Sequence, residues 1–409
     1  MSFINLNIRA LFIILTVITI ATACNKVEVV EENNIDLNSV NPSNIDTKLA
    51  VINIVVDQDE FDYMMSHYND DIEIIGHLSM FMNNQIIISN EEAEFGIKGS
   101  STAAYPLKSL KVKFENNLDN SFGTIIDVKK HLPTHDFSTI RNFSLRNSGN
   151  DYYESFIKDV CYSQMAVDMS LEIELSYDRS VQVFVNSSFY GLLHLRTEKN
   201  KTALSKLLGV SKGDLNILKI NHIGGGEEEI EYKAGDEAIL NELVTAVFAH
   251  DTEKIKEMVD VTSFVEYVTY QDFIGNSDWP FNNVQLYSVL DGKFRFFLYD
   301  LDFAGTRDKY FVLNDNPLGF LYNMYQGLEK DADIKAQIKQ SQKDIVNYGS
   351  NDVFRAIVDS KAGEIENEIK YNITKYHVPA YSAAWYLKIE NLLEQYELRR
   401  KEYKGFYKL

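Results

Sequence analysis

The stretch Asn276–Thr306, NSDWPFNNVQLYSVLDGKFRFFLYDLDFAGT, is where the texture of the chain turns from helix to strand. Just upstream, DVTSFVEYVTYQDFIGN (Asp260–Asn276) carries apolar residues at three and four spacing, which predicts a helix. Pro280 forbids a simple continuation of it, leaving Asp278 at the end of the helical segment. VQLYSVL and KFRFFLYDLD flank Asp291-Gly292, a dipeptide that favours the tight turns matching strand twist, so a hairpin is expected. That hairpin brings Asp300 and Asp302 to the end of a strand. Two residues apart on a strand, they share a face, an arrangement that is costly without a cation or a pairing partner.

Working outward, the residues before this window are rich in strands. LAVINIVVD (Leu49–Asp57) reads as a strand, and GHLSMFMNNQIIIS (Gly76–Ser89) reads as a hairpin-like pair around Asn83-Asn84. EAEFGIKGSSTAAYPLKSLKVKFEN (Glu92–Asn116) gives a strand, a small-residue loop and a second strand. In that second strand Leu110, Val112 and Phe114 alternate with Lys111 and Lys113, so period two separates an apolar face from a basic one. LRNSGNDYY introduces a helical segment around Tyr153–Met169, and DRSVQVFVNSSFYGLLHLRTEK (Asp178–Lys199) reads as a hairpin turning at Asn186-Ser187-Ser188. Past residue 200 the spacing becomes mainly helical, as in DEAILNELVTAVFAH, and it returns to helices from about Asp331. HIGGGEEEIE (His222–Glu231) reads as an exposed flexible loop, and no internal repeat is found. The fold class is α+β.

Ala10–Ala23 is an unbroken apolar and small-residue run behind Arg9, the layout of a signal peptide. It is too short to cross a hydrocarbon core, which needs about 20 apolar residues. Ala21, Thr22 and Ala23 before Cys24 resemble a bacterial lipobox, so Cys24 is expected to be lipidated and to tether an exported body to a membrane of the bacterial cell envelope. The divisions are 1–23 signal peptide, 24–48 a polar tether, then a body of 49–200 and 201–409. Cleavage leaves 409 minus 23, or 386, residues. Cys161 is then the one cysteine of the body and, within helical apolar spacing, is expected to be a buried, inert thiol. A formal net charge of -20 excludes nucleic acid as a natural partner, since no basic excess replaces phosphate counterions. His131 and His135 flank Pro133, which spoils a helical metal pair.

Asp278, Asn283 and Asp300 have the order that two-metal phosphoryl transfer needs. A carboxylate accepts the proton of the attacking hydroxyl, and an amide oxygen and a second carboxylate hold divalent ions. Protein kinases place the base and the metal-binding Asn five positions apart, with the metal-binding Asp reached through a short hairpin. The competing reading makes Asp278 a cap and Asn282 and Asn283 turn residues. Gly99, Ser100 and Ser101 let backbone N–H groups approach a phosphate, with Lys108, Lys111 and Lys113 as point charges; the alternative is a plain loop and a solvated strand face. Tyr152, Tyr153, Trp279, Phe281 and Tyr287 keep a sugar platform open against core packing.

GIKGSSTAAYPLKSLKVKF, VQVFVNSSFYGLLHLRTEK and DVTSFVEYVTYQDFIGNSDWPFNNVQLY followed by FRFFLYDLDFAG resemble segments of the spore-coat protein H (CotH) kinase family, over roughly residues 49–409. The resemblance implies an atypical protein-kinase-like two-lobed fold, with a strand-rich N-terminal lobe (49–200) and a mainly helical C-terminal lobe (201–409). It implies ATP with Mg²⁺ or Mn²⁺ as cofactors and a protein or peptide as substrate. Asp278 would be the base, Asp300 the metal aspartate with Asn283 in support, and Asp302 the rival for the metal. Lys111, then Lys108, would meet the nucleotide phosphates, fixed by Glu198. The family loop resembles Arg-Gly-Asn-Ser-Ser where this chain has Lys98-Gly99-Ser100-Ser101, and Leu107 replaces one of its paired lysines. These departures keep open a catalytically weak surface protein acting as adhesin, scaffold or glycan-binding module.

Overall fold

The computed structural model describes residues 41–119, 139–224, 227–306 and 317–409. The expected signal peptide with Cys24, most of the expected tether, His131 and His135 lie outside them. The hairpins expected around Asn83-Asn84 and Asn186-Ser187 are both present, and all four turn residues take positive φ (49° to 65°), as two-residue hairpin turns require. They join β2 (Glu73–Met82) to β3 (Gln85–Lys98), and β7 (Asp178–Val185) to β8 (Ser188–Thr197). With β1 (Ala50–Val56), β4 (Ser109–Asp119) and β5 (Thr139–Arg146) these strands close a seven-stranded barrel in the order β1-β2-β3-β4-β5-β8-β7. A parallel β1–β7 pair makes the seam, leaving no open edge.

The alternation in β4 sorts as the sequence predicts. Leu110, Val112 and Phe114 are buried in the barrel beside Phe95, Ile97, Phe143, Leu145, Leu193 and Leu195. Register pairs Lys98 with Ser109 and Lys111 with Ser144 and, by period two, puts Lys98, Lys111 and Arg146 on the opposite, outer face. A second sheet runs β10-β9-β11-β12-β6, from β6 (Glu174–Leu175), β9 (Leu215–Gly224), β10 (Glu227–Ala234), β11 (Val284–Val289) and β12 (Arg295–Leu298). The described residues of HIGGGEEEIE, 222–224 and 227–231, are therefore paired antiparallel strand where a loop was expected. The acidic run hides a period of two in which Ile230 packs on the core and Glu228 accepts from Phe320 N (2.8 Å), while β9 gains a second partner in β11.

Eleven α-helices occur among the described residues. The first, α1 (Gln58–Ser66), was not expected; Asp57 caps it by accepting from Asp59 N and Glu60 N, both 3.0 Å. Next come α2 (Lys158–Asp168), α3 (Lys201–Leu207), α4 (Glu237–Phe248), α5 (Thr252–Met258) and α6 (Val261–Ile274). The last five are α7 (Phe320–Leu328), α8 (Ala332–Tyr348), α9 (Asn351–Ile365), α10 (Ile369–Tyr376) and α11 (Ser382–Tyr407). Helix α6 is buried on nearly every side, from Phe264 to Ile274, so it sits inside the molecule as all-round apolar helices do. Asp260 caps its start on Ser263 N (3.1 Å), and Gly275 ends it at φ 60°. Glycine thus stops this helix five residues before Pro280 is reached, because the left-handed C-cap suits a residue without Cβ. Cys161 is buried in α2, where burial pushes its thiol well above the usual range.

Candidate active site

The segment after Gly275 and the segment after β12 meet at Asn276. Its side-chain oxygen accepts from Asp278 N (3.2 Å), and its amide nitrogen reaches the Asp300 carbonyl at 3.5 Å. Asp278 is braced on both carboxylate oxygens, Oδ1 by Asn282 Nδ2 (3.1 Å) and Oδ2 by Asn283 Nδ2 (2.7 Å). Asn283 has φ 62°, a left-handed conformation that asparagine tolerates better than most residues. Its side-chain amide gives one of its two N–H donors to Asp278 and keeps its oxygen as an acceptor.

Asp300 and Asp302 come together by a different route from the one expected. Strand β12 stops at Leu298 and Asp300 sits at φ 61°, so the two do not share a strand face. They nonetheless feel each other. Arg146, at the end of β5, donates from Nη2 to Asp300 Oδ1 at 2.6 Å. Burial alone would lift the Asp300 carboxyl, but Arg146 and Lys199 outweigh it and hold Asp300 below the usual carboxylate range. Asp302, 4% exposed, is pushed up to about 7 by burial and by the Asp300 charge. Its Oδ2 accepts from Asn150 N (2.7 Å) and Asn150 Nδ2 (3.1 Å). Gly149 has φ 59°, and a Cβ there would run into that same oxygen.

The lysines divide. Lys98, the last residue of β3, ion-pairs with Glu198 just beyond β8. Burial lowers Lys98 despite that partner, whereas Lys98 and Lys199 together hold Glu198 low against its own burial. Lys111 instead pairs with exposed Asp71 at 2.5 Å. Lys108 is buried, donating to the carbonyls of Ala103 (2.6 Å) and Tyr105 (3.1 Å) with Tyr68's ring 4.1 Å away. Gly99, Ser100 and Ser101 lead directly from Lys98 into a single 3₁₀ turn, Ser101–Ala104. Asp300, Asp302 and Glu198 thus come together with residues the sequence reading did not assign, Lys98, Arg146, Asn150 and Lys199, while Asp278 and Asn283 are tied to this group through the contact of Asn276 with the Asp300 carbonyl. Arg146 and Asn150 both lie in LRNSGND, a window noted only as a helix entry. Of the five aromatics proposed as a sugar platform, Tyr152, Trp279 and Tyr287 are buried, so they serve packing.

A divalent cation fits this donor set. Asp300, Asp302 and the Asn283 amide are hard oxygen donors, and a positive ion would relieve Asp302 of the Asp300 charge that raises its proton affinity. Among the described residues no three or more His, Cys, Asp or Glu side chains are grouped to hold a metal by themselves. Kinase-type sites do not require that, since one or two carboxylates share Mg²⁺ with the nucleotide phosphates.

An α+β protein with a lysine–glutamate pair, an arginine-held carboxylate and an asparagine-braced carboxylate in one place has the parts of a kinase-like protein. A family model described as CotH kinase protein matches residues 95–403, and the chain belongs to the CotH family. A search of curated proteins gave no match.

Proposed function

We propose that the protein is an ATP-dependent, divalent-metal-dependent protein kinase, carried on the bacterial cell envelope by a lipid anchor at Cys24. The observation that carries the reading is the double bracing of Asp278 by Asn282 and Asn283 beside Asp300. Asp278 accepts the proton of the acceptor hydroxyl, and the two amides fix the direction of its lone pairs. Lys98, held by Glu198, takes the nucleotide-lysine role ahead of Lys111 and Lys108, each already engaged elsewhere. Asp300, Asp302 and Asn283 would hold Mg²⁺ or Mn²⁺, whose charge would neutralise that developing on the transferred phosphoryl group. In kinase terms the barrel (49–200) is the first lobe and residues 201–409 the second. No helix among the described residues is long and apolar enough to cross a membrane, so an attachment by acyl chain is compatible with the described body.

The experiment is metal-dependent phosphoryl transfer to the protein itself or to a peptide library, in parent and Asp278→Asn chains, with calorimetric ATP binding in parallel. Transfer should fall at least about 10²-fold while ATP binding stays within about threefold, because only the proton acceptor is removed. Equal transfer by Asp278→Asn would reject the base. A parent chain that binds no ATP with either metal would instead favour a non-catalytic surface role, with Arg146 as the lasting partner of Asp300.

A further inference from the structure

Two of the cations around Asp300 are already engaged, Arg146 on Asp300 and Lys98 on Glu198. Two more are not. Lys199 follows Glu198, and its ammonium stands 3.9 Å from the centroid of the Tyr299 ring. Lys219 lies on β9, opposite Gln285 of β11, and Gln285 Nε2 donates to the Lys199 carbonyl at 2.8 Å. Gln285 thus bonds the Lys199 backbone and stands beside Lys219 in the sheet register. Neither ammonium makes a hydrogen bond or an ion pair with any described residue, yet both lie within electrostatic reach of Asp300.

In a chain of net charge -20, Lys98, Arg146, Lys199 and Lys219 all lie within electrostatic reach of Asp300. Burial works against both loose ammonium groups and lowers their proton affinity, Lys199 to about 7; neighbouring like charges add to this, and it is only partly offset by Glu198 and Asp300 at Lys199 and by Glu231 and Asp300 at Lys219. Both side chains are half-buried, and an ammonium partly withdrawn from water beside other cations gains from an added anion. A flat guanidinium would suit a carboxylate, whereas two compact, mobile point charges suit oxygens that lie along a chain of phosphates.

We infer that Lys199 and Lys219 bind the anionic tail of an oligophosphate, with Lys199 the principal contact. The inference rests on the nucleotide reading of the site and names the residues that take the phosphates. A nucleoside triphosphate and a free inorganic polyphosphate share this chemistry, and the test separates them.

Calorimetric titrations of the purified full chain with ATP, adenosine and inorganic tripolyphosphate are compared for the parent, Lys199→Met, Lys199→Arg, Lys219→Met and the exposed control Lys212→Met. Lys199→Met should weaken ATP and tripolyphosphate by about tenfold or more, and Lys219→Met by a few-fold, with adenosine unchanged. Lys199→Arg should keep most of the anion affinity, and Lys212→Met should match the parent. ATP and tripolyphosphate binding that is undiminished in Lys199→Met and Lys219→Met would overturn the inference while leaving the kinase reading in place. Tripolyphosphate binding that depends on Lys199, in a chain that transfers no phosphate, would uphold the anion site and remove the kinase reading. A parent chain that binds neither anion would reject both. Retained adenosine binding and an unchanged thermal transition show that a variant has kept its fold.

Discussion

Asp302 owes its position to an absence. Gly149 turns at φ 59° so that Asn150 N and Nδ2 can both reach Asp302 Oδ2, and the space a Cβ would need at residue 149 is filled by that oxygen. Gly149→Ala therefore combines left-handed strain with a displaced carboxylate, at a cost of about 1–3 kcal/mol. Urea unfolding should show that loss, and metal-dependent ATP binding should weaken more than metal-free binding. An alanine variant with parental stability and parental metal dependence would dissociate Asp302 from the metal. The Asp278 and Asn283 juxtaposition was legible because five residues of loop leave little freedom between them. Lys98 and Arg146 were not legible: each ends a strand, and their partners Glu198 and Asp300 lie 100 and 154 residues away. Alternation tells which face a lysine occupies, and it ranked Lys111 with the rest of that face. Which lysine finds the carboxylate depends on barrel closure, which no local pattern encodes.

At the scale of elements, β8 is tied to two neighbours through His194. Its Nε2 lies 2.9 Å from the Phe156 carbonyl before α2, and its Nδ1 lies 3.2 Å from Ser180 Oγ on β7. A neutral ring donating to the carbonyl and accepting from the hydroxyl satisfies both. Burial is the main cause holding His194 below its ordinary value, with Arg196 and Lys361 adding to it and Asp178 and the Phe156 contact opposing. Below about pH 6.5 the unfolded chain therefore binds a proton that the folded one resists, so stability is lost as the medium is acidified. Between pH 7.5 and 5.5 this one group should lower the unfolding free energy by at most about 1.4 kcal/mol per pH unit, while Asp302, whose carboxyl is raised to about 7, acts in the opposite direction in both parent and variant. The His194 share is therefore read as a difference: His194→Gln should lose less stability on acidification than the parent, and identical slopes would mean that His194 titrates normally. The same scale shows where patterns sufficed. The Asn-rich hairpin turns and α6 could be read directly, since turn chemistry and apolar spacing act within a few residues. Helix α1 was missed although Asp57 and Glu60 mark its start, because an alternating strand runs straight into it. The β9–β10 pair was missed because its glutamates masked a pairing that β11 completes.

For the molecule as a whole, the C-terminal helix α11 supports a site it never enters. Trp385 Nε1 donates to the Ser155 carbonyl at 2.8 Å, fastening α11 beside the start of α2. Further along, Arg399, 4% exposed, donates from Nε to the Phe273 carbonyl at 3.0 Å and from Nη2 to the Asp272 carbonyl. These are carbonyls of the last turn of α6, where the helix dipole favours a cation, and Gly275, Asn276 and Asp278 follow immediately. Tyr407 closes the arrangement by donating to Asp272 Oδ2 at 2.6 Å. Residues at the far end of the chain thus fix the angle at which the Asp278 loop leaves its helix. Arg399→Met keeps most of the stem's packing but strips the charge from two buried carbonyls and from Asp272, for an expected loss of about 2–4 kcal/mol. Arg355, whose exposed ion pair with Glu390 spans 3.6 Å, is the matched surface control and should cost less than about 1 kcal/mol as Arg355→Met. If α11 only adds bulk stability, Arg399→Met will unfold earlier yet retain parental ATP binding and transfer at temperatures where it remains folded. If it positions the Asp278 loop, transfer at those temperatures will drop while ATP affinity holds, because the nucleotide groups on the barrel are untouched.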